Sequence, residues 1–161
     1  MQVKASWTAV SALIALMGCA LPGCKARPAG LLESRLIWGM KHHVTVGNRK
    51  QKNPLPATDE SIEEGEQTFS HYCAACHGLD GQNTGVPFAD RMSPAVPSLA
   101  SKDVQAYSDG QLKSVLDNGV WPSGMPASKG ILNDEEMWSI VHFLRHLPAA
   151  GSLGEPAMYT Q

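Results

Sequence analysis

The chain has 161 residues and a formal net charge of −2 at pH 7, which allows one ordinary domain with appendages at its ends. Of its four cysteines, Cys19 and Cys24 lie at the end of an apolar N-terminal segment, so only Cys73 and Cys76 remain for a folded domain. Two cysteines exclude a disulfide framework of the kind that holds many small exported domains together.

The first 18 residues are typical of an export signal. Lys4 precedes an uncharged, mostly apolar stretch over residues 5–18 that is too short to span a bilayer comfortably. The sequence LMGC at 16–19 resembles a lipoprotein processing site, where the signal is removed and the cysteine, here Cys19, is acylated. LPGC at 21–24 offers Cys24 as a poorer candidate, because a proline lies beside the cut. We expect an exported, lipid-anchored protein; an uncleaved hydrophobic anchor is the alternative.

Charge divides the rest of the chain into two parts. Residues 25–57 carry seven basic side chains against Glu33 alone, whereas acids outnumber bases by more than two to one over residues 58–148. We interpret residues 19–57 as the anchor cysteine and a basic tether, residues 58–148 as the folded domain, and residues 149–161 as a flexible C-terminal tail. The tether could rest on anionic lipid headgroups, or it could be a solvated linker folded loosely over the domain.

The sequence predicts three helices and no convincing strand in the domain. Each helix begins with a capping box, whose N-cap and third helical residue are Ser61 with Glu64, Ser108 with Gln111, and Asn133 with Glu136. The helices should end at Cys73, at Gly119 and before Pro148. A loop rich in glycine and proline, residues 78–100, separates the first two helices. A domain of about 90 residues with so much irregular backbone is marginal, so something large and apolar should fill its centre.

The sequence CAACH at residues 73–77 is the attachment signature of a covalently bound haem. The two-residue spacer lets the thiols of Cys73 and Cys76 add to the two vinyl groups, and His77 then lies under the iron as its fifth ligand. A zinc site would need a second ligand pair, which the remaining cysteines and histidines do not supply at finger spacing. A thioredoxin-like dithiol would need a strand before the motif, where the pattern is helical. We expect one covalent haem c.

The sixth ligand of the iron decides the function. Met125 lies between Gly124 and Pro126 in the turn NGVWPSGMPA, and a soft thioether favours ferrous iron and raises the reduction potential. The alternative is that Met125 is an exposed methionine in a surface turn. The weaker methionine candidates are Met92, Met137 and Met158.

Residues 58–148 resemble a class I c-type cytochrome, a small monohaem electron carrier. In EGEQTFSHYCAACHG, Gly65 and Phe69 stand eight and four residues before the first haem cysteine, as in the first helix of that family. IVHFLRHLP is similar to the last helix of the family, and the resemblance implies that Phe143 meets Gly65 where the two helices cross.

Two loops carry the rest of the resemblance. VPSL is similar to the loop whose proline carbonyl accepts a hydrogen bond from the proximal histidine, which makes Pro97 the partner of His77 and Leu99 a haem contact. GMPA resembles the methionine-ligand loop and implies that Met125 is the sixth ligand.

The resemblance implies an all-α, small cytochrome c fold, in which three main helices and long loops wrap around one haem. It implies an electron carrier, not an enzyme, whose acidic surface suits membrane redox complexes or other cytochromes with basic docking surfaces. No nucleic-acid partner is expected, and the protein would be a monomer or a subunit of a redox complex. The lipoprotein-like start departs from the family and predicts attachment to the periplasmic side of a membrane.

Two other functions are left open. A haem enzyme or gas sensor would have an open sixth position, for which Arg91 is weak distal support, and a low-potential variant would use His42 or His43 as the sixth ligand. A cytochrome subunit of a larger dehydrogenase or oxidase would differ from a carrier only in the permanence of its partner. His142 and His146, one turn apart, could bind a metal, although structural histidines are the commoner case.

Overall fold

The computed structural model describes residues 46–121 and 123–157, together with four helical residues nearer the N-terminus: Leu32, Arg35, Leu36 and Gly39. The chain divides after Arg35 into two units, and the domain lies in the second, residues 36–161. The expected export signal, Cys19, Cys24, His42, His43 and Met158 fall outside the described residues. Among the helices that are described, none is long and apolar enough to cross a membrane.

From Val46 onward the described residues form α1 (Asp59–Tyr72), α2 (Ala74–His77), α3 (Lys102–Gln105), α4 (Asp109–Asn118) and α5 (Asp134–Arg145). A 3-10 turn at Ala89–Arg91 interrupts the long loop between α2 and α3. This part of the chain has no strand, only two isolated bridges, which pair Val120 with Met125 and Lys129 with Leu132. The all-α prediction is therefore confirmed, and the short helices α2 and α3 are added to the three that were predicted.

The capping boxes predicted for α4 and α5 are present, but the one predicted for α1 was wrong. Thr58 is the N-cap, and Ser61 is the third helical residue that reaches back to it, with reciprocal hydrogen bonds of 3.3 and 3.2 Å. Ser61 thus takes the third helical position of the capping box, which was expected for Glu64. The helix starts three residues earlier, at Asp59, which places Asp59 and Glu60 in its first turn, where the helix dipole favours negative charge.

Helices α1 and α5 cross at Gly65, which is buried. The three atoms nearest to a Cβ built on Gly65 belong to the backbone of Ser139 and Ile140. Phe143 lies one turn further along α5 and packs on Phe69, with ring centroids 5.1 Å apart. The glycine therefore brings two backbones together, and the aromatic pair packs beside the crossing.

One apolar cluster fills the domain and joins α1, α4 and α5. Its buried members are Phe69, Leu112, Leu116, Leu132, Met137, Trp138, Ile140, Val141, Phe143 and Leu144. Half-buried side chains from the loops pack against it, and these include Cys73, Leu99 and Met125. The core thus supports the residues that the sequence assigned to the haem.

Residues 46–57, which we call the strap, belong to the folded domain, although they were expected in the tether. Four hydrogen bonds attach the strap to α4 and α5: Gln111 Nε2 to Val46 O (3.2 Å), Gly110 N to Gln51 O (3.1 Å), Asn53 Nδ2 to Trp138 O (2.9 Å) and His142 Nε2 to Leu55 O (3.1 Å). The domain therefore begins before Thr58.

The C-terminal segment after α5 packs against the loop that follows the haem motif. Pro148 O accepts a hydrogen bond from Gln82 Nε2 at 2.8 Å, and Gly151 N donates to Asp80 Oδ2 at 2.7 Å. Pro156 is buried. The expected flexible tail is thus held to the domain over residues 149–157, and residues 158–161 lie outside the described part.

Candidate haem-binding site

Cys73, Cys76 and His77 lie on a single helical turn. Cys73 is the C-cap of α1 and the N-cap of α2. Its carbonyl accepts hydrogen bonds from the backbone N–H groups of Cys76 (3.1 Å) and His77 (3.0 Å). Cys73 is half-buried and Cys76 is exposed, and the two form no disulfide. The motif therefore follows the first helix after a break at Cys73, and it presents two thiols and an imidazole from one turn.

The Cys73 thiol is poorly suited to disulfide chemistry. Burial, with a smaller contribution from Cys76, raises the pKa of Cys73 to about 12. A redox-active dithiol needs a thiolate stabilised by a lowered pKa. The environment of Cys73 instead keeps its sulfur uncharged, which suits a sulfur that ends as a thioether.

His77 is the buried member of the motif, with 9% of its surface exposed. Burial lowers the pKa of His77 and so favours the neutral imidazole that metal ligation requires, while the backbone carbonyl of Pro97 acts in the opposite direction. Nδ1 of His77 is buried and makes no contact that meets hydrogen-bond geometry among the described residues. The Pro97 carbonyl raises the pKa of the ring, but the hydrogen bond from Nδ1 that the resemblance assigned to this carbonyl is not formed.

The VPSL segment is held by hydrogen bonds to the loop that follows the motif. Leu99 N donates to Gly81 O at 2.8 Å, and Asn83 Nδ2 donates to Val96 O at 2.8 Å. Pro97 is exposed, and Leu99 is half-buried against the apolar cluster. Sequence reasoning missed Asn83, although an asparagine in the glycine-rich sequence GQNTG favours a left-handed turn and could have marked it.

Met125 is half-buried and packs against the same cluster as Cys73 and Leu99. Val120 N donates to Met125 O at 3.1 Å, and this contact closes the loop. Gly119, at φ +66°, allows the closure, since a Cβ there would lie 2.5 Å from Met125 O. The backbone of Met125 is thus fixed by its own loop.

The other candidate ligands have different surroundings. Met137 is 1% exposed within the core, and the methyl group of Met92 lies 3.9 Å from the position of a Cβ on Gly124. His142 and His146 bond to backbone carbonyls, at 3.1 Å to Leu55 O and 2.8 Å to His142 O respectively. In the described part of the chain, no three His, Cys, Asp or Glu side chains cluster as metal ligands would.

The donor set fits haem c. Covalent attachment and iron ligation need two sulfurs, an imidazole and apolar surroundings. The site supplies the Cys73 sulfur, which burial keeps uncharged, the Cys76 sulfur on the same turn, the buried imidazole of His77 with an unpaired Nδ1, and the apolar cluster beside them. Cys73, Cys76 and His77 would hold the group.

Known proteins that resemble this chain are also haem proteins of the cytochrome c type. A family model described as cytochrome c oxidase, cbb3-type, subunit III, matches residues 60–144. Cytochrome c550 of Pseudomonas aeruginosa is 26% identical over 96 residues, which cover 58% of this chain and 60% of the relative. The quinohemoprotein alcohol dehydrogenase ADH IIB of Pseudomonas putida is 24% identical over 141 residues, 86% of this chain and 19% of the relative.

The chain spans about three fifths of the length of the first relative and about a fifth of the second. The family match takes in residues 60–144, just over half of the 161 residues, and includes the whole of the CAACH motif. The chain therefore belongs to the family of c-type cytochromes described as cbb3-type cytochrome c oxidase, subunit III.

Proposed function

We propose that the chain is an exported, membrane-tethered monohaem cytochrome c that passes single electrons between redox partners. The observation that carries this proposal is the single helical turn on which Cys73, Cys76 and the buried His77 lie together. Bound haem c would supply an iron that alternates between the ferric and ferrous states. The chain would supply the attachment, the axial ligands and the apolar surroundings.

His77 would bind the iron through Nε2, which leaves Nδ1 towards the Pro97 carbonyl. A carbonyl beside Nδ1–H orients the ring and increases the basicity of the ligating nitrogen. Leu99 would provide an apolar contact, in line with its packing against the core.

Met125 would be the sixth ligand. Its half-buried position and its fixed loop support this assignment over a surface methionine. With both axial positions taken by side chains, the iron would have no open position for bond chemistry, and the protein would carry electrons without catalysing a reaction of its own.

The acidic surface of the domain and the lipoprotein-like N-terminus suggest the partners and the location of the protein. Exposed acids in the first half of α1, among them Glu60 and Glu63, favour partners with basic docking surfaces. Acylation of Cys19 would hold the domain on the periplasmic side of a membrane, close to membrane redox complexes. Replacement of Cys19 by serine should release the protein from the membrane fraction, whereas Cys24→Ser should not.

The visible spectra of the purified holoprotein, oxidised and then reduced under carbon monoxide, test the ligation. Wild type should be low-spin and should not bind carbon monoxide, whereas Met125→Ala should become high-spin and bind it. Met92→Ala is the matched control, because Met92 is also half-buried and lies beside the same loop. Its spectra should match those of wild type.

Each other result has a definite meaning. Carbon monoxide binding by wild type would show an open sixth position and favour a haem enzyme or a gas sensor. Binding by the Met92 variant alone would assign the ligand to Met92. A low-spin Met125 variant that still excludes carbon monoxide would point to another ligand, such as His42 or His43.

A cytochrome subunit of a larger dehydrogenase or oxidase is the second candidate. The similarity to a segment of a quinohemoprotein alcohol dehydrogenase and the description of the matching family favour it. Purification of the native chain from its membrane should distinguish the two, since a subunit should elute with a stoichiometric partner and a carrier should elute alone.

A further inference from the structure

Asn83 connects the haem motif to the segment that contains Pro97. Its backbone N–H donates to the carbonyl of His77 at 2.7 Å, and its side-chain Nδ2 donates to the carbonyl of Val96 at 2.8 Å. Val96 directly precedes Pro97, whose carbonyl is the acceptor that the resemblance implies for His77. Asn83 thus joins the backbone of the histidine to the segment that carries this carbonyl.

The conformation of Asn83 is unfavourable by itself. Its φ is +64°, in the left-handed region, and its Oδ1 is buried without a hydrogen-bond partner among the described residues. Glycine would adopt this φ without strain and would leave no buried acceptor unpaired. Stability of the turn therefore does not explain an asparagine here, whereas the bond to Val96 does.

The loop that carries Asn83 has a rigid base. Asp80 is fully buried, and its carboxylate accepts hydrogen bonds from Gln82 N at 2.9 Å, from Gly151 N at 2.7 Å and from the Thr84 hydroxyl. Gln82 and Thr84 are the two neighbours of Asn83. Since both are fixed to one buried carboxylate, the Asn83 side chain acts from a defined position.

We propose that Asn83 is a positioning residue that holds the Pro97 carbonyl against Nδ1 of His77 and thereby tunes the reduction potential. The inference rests on the proposed role of His77 as an iron ligand. A carbonyl that accepts from Nδ1–H makes the imidazole a stronger donor and stabilises the ferric state. Loss of the Asn83 anchor should weaken this contact and raise the potential.

The test compares Asn83→Gly with Asn48→Gly in the full-length holoprotein. Glycine keeps the backbone N–H that bonds to His77 and removes only the side-chain bond to Val96. Asn48 is the matched control, because its φ is +62°, but it lies in the strap and is exposed. Two quantities are measured: the midpoint reduction potential, and the rate at which the Nδ1 proton of His77 exchanges with deuterated water by NMR.

In the Asn83 variant we expect a more positive potential and proton exchange faster by up to about tenfold, the factor that corresponds to one ordinary hydrogen bond. Its spectrum should stay low-spin, and Asn48→Gly should match wild type in both quantities. Asn83→Asp, which places a carboxylate oxygen against the Val96 carbonyl, should also speed the proton exchange, while its added negative charge acts on the potential in the opposite direction.

Two results would overturn the inference. If the Asn83 variants match Asn48→Gly in potential and in exchange rate, Asn83 does not position the carbonyl, even if their unfolding changes. If His77→Ala leaves the wild-type haem spectrum unchanged, the proposed function itself fails, and the inference fails with it. The first result leaves His77 ligation intact, so the two failures are distinguishable.

Discussion

Gly65 of α1 lies so close to Ser139 of α5 that a Cβ atom on Gly65 would be 2.0 Å from the carbonyl oxygen of Ser139 and 2.5 Å from its carbonyl carbon. Both are backbone atoms and cannot rotate away. The crossing of the helix that leads into the haem motif with the helix that closes the domain therefore depends on the absence of one side chain.

Replacement of Gly65 by alanine should force α1 and α5 apart and lower the free energy of unfolding by about 1–3 kcal/mol or more. Denaturant unfolding of the holoprotein, followed by circular dichroism, measures this change. Gly39→Ala is the control, since Gly39 is helical and nothing lies within 4 Å of its Cβ position. That variant should be unchanged or up to about 1 kcal/mol more stable. Equal effects at the two positions would contradict the prediction.

Gly110 holds the strap against α4 by a similar close approach. A Cβ on Gly110 would lie 2.1 Å from Asn48 O and 2.7 Å from Gln51 O, and Gly110 N donates to Gln51 O at 3.1 Å. Gly110→Ala should displace the strap and speed tryptic cleavage after Lys50 and Lys52 by about tenfold, since cleavage follows the population of the open form.

The control for Gly110 lies in the strap itself. A Cβ on Gly47 would be 4.0 Å from Ser114 Oγ, an ordinary contact, so Gly47→Ala should leave the cleavage rate unchanged. The haem spectrum should be unaffected in both variants. Cleavage of Gly110→Ala at the wild-type rate would show that the strap tolerates the added methyl group.

Asp80 should make stability depend on pH. Burial alone would raise the pKa of Asp80, but hydrogen bonds from Thr84, Gly151 and Gln82 outweigh it and hold the pKa below its ordinary value. A carboxylate with a lower pKa in the folded state stabilises the fold above its unfolded pKa of about 3.9. This contribution is lost as the pH falls through that value towards the folded pKa.

Asp80→Asn should therefore lower the free energy of unfolding at pH 7 by about 1–3 kcal/mol, because an amide replaces an acceptor of several donors. The difference from wild type should shrink below about pH 4, where the wild-type carboxylate also takes up a proton. Urea unfolding at pH 7, 5 and 3.5 measures both effects. Asp90→Asn, at an exposed position, should have little effect at any pH. A constant difference between pH 7 and 3.5 would contradict this account.

Lys113 is 4% exposed, and its Nζ donates to Asp117 Oδ1 at 2.7 Å and to Asp134 Oδ1 at 2.9 Å. Burial lowers the pKa of Lys113, but the two carboxylates outweigh burial and leave the pKa above its ordinary value. The partners differ in exposure, since the side chain of Asp117 is 20% exposed and that of Asp134 is 83% exposed.

Solvent should therefore screen the two ion pairs unequally. Asp117→Asn should lower the free energy of unfolding by about 1.5–3 kcal/mol, whereas Asp134→Asn should have a clearly smaller effect. The two variants serve as controls for each other, because each removes one carboxylate from the same ammonium. Denaturant unfolding at low and at high salt measures them, and the Asp134 effect should fall further with salt. A larger effect for Asp134→Asn would refute this ordering.

The sequence predicted the features that depend on near neighbours in the chain. The capping boxes at Ser108 and Asn133 were found because a side chain and a backbone N–H three residues away satisfy each other. The CAACH motif placed two thiols and an imidazole on one turn for the same reason, since its five residues span little more than a turn of helix.

Only the tertiary structure decided features that join distant parts of the chain. The position of Gly65 before the haem motif was recognised in the sequence, but its contact with the backbone of Ser139 was not predictable. The hydrogen bond from Asn83 to Val96, thirteen residues away, was not predictable either. The strap and residues 149–157 were expected in a tether and a tail, because the spacing of their residues does not reveal the hydrogen bonds that fix them to α4, α5 and Asp80. Helix capping and the spacing of the haem ligands depend on residues close together in the chain. The hydrogen bonds between distant residues form only when the helices that supply the partners have packed.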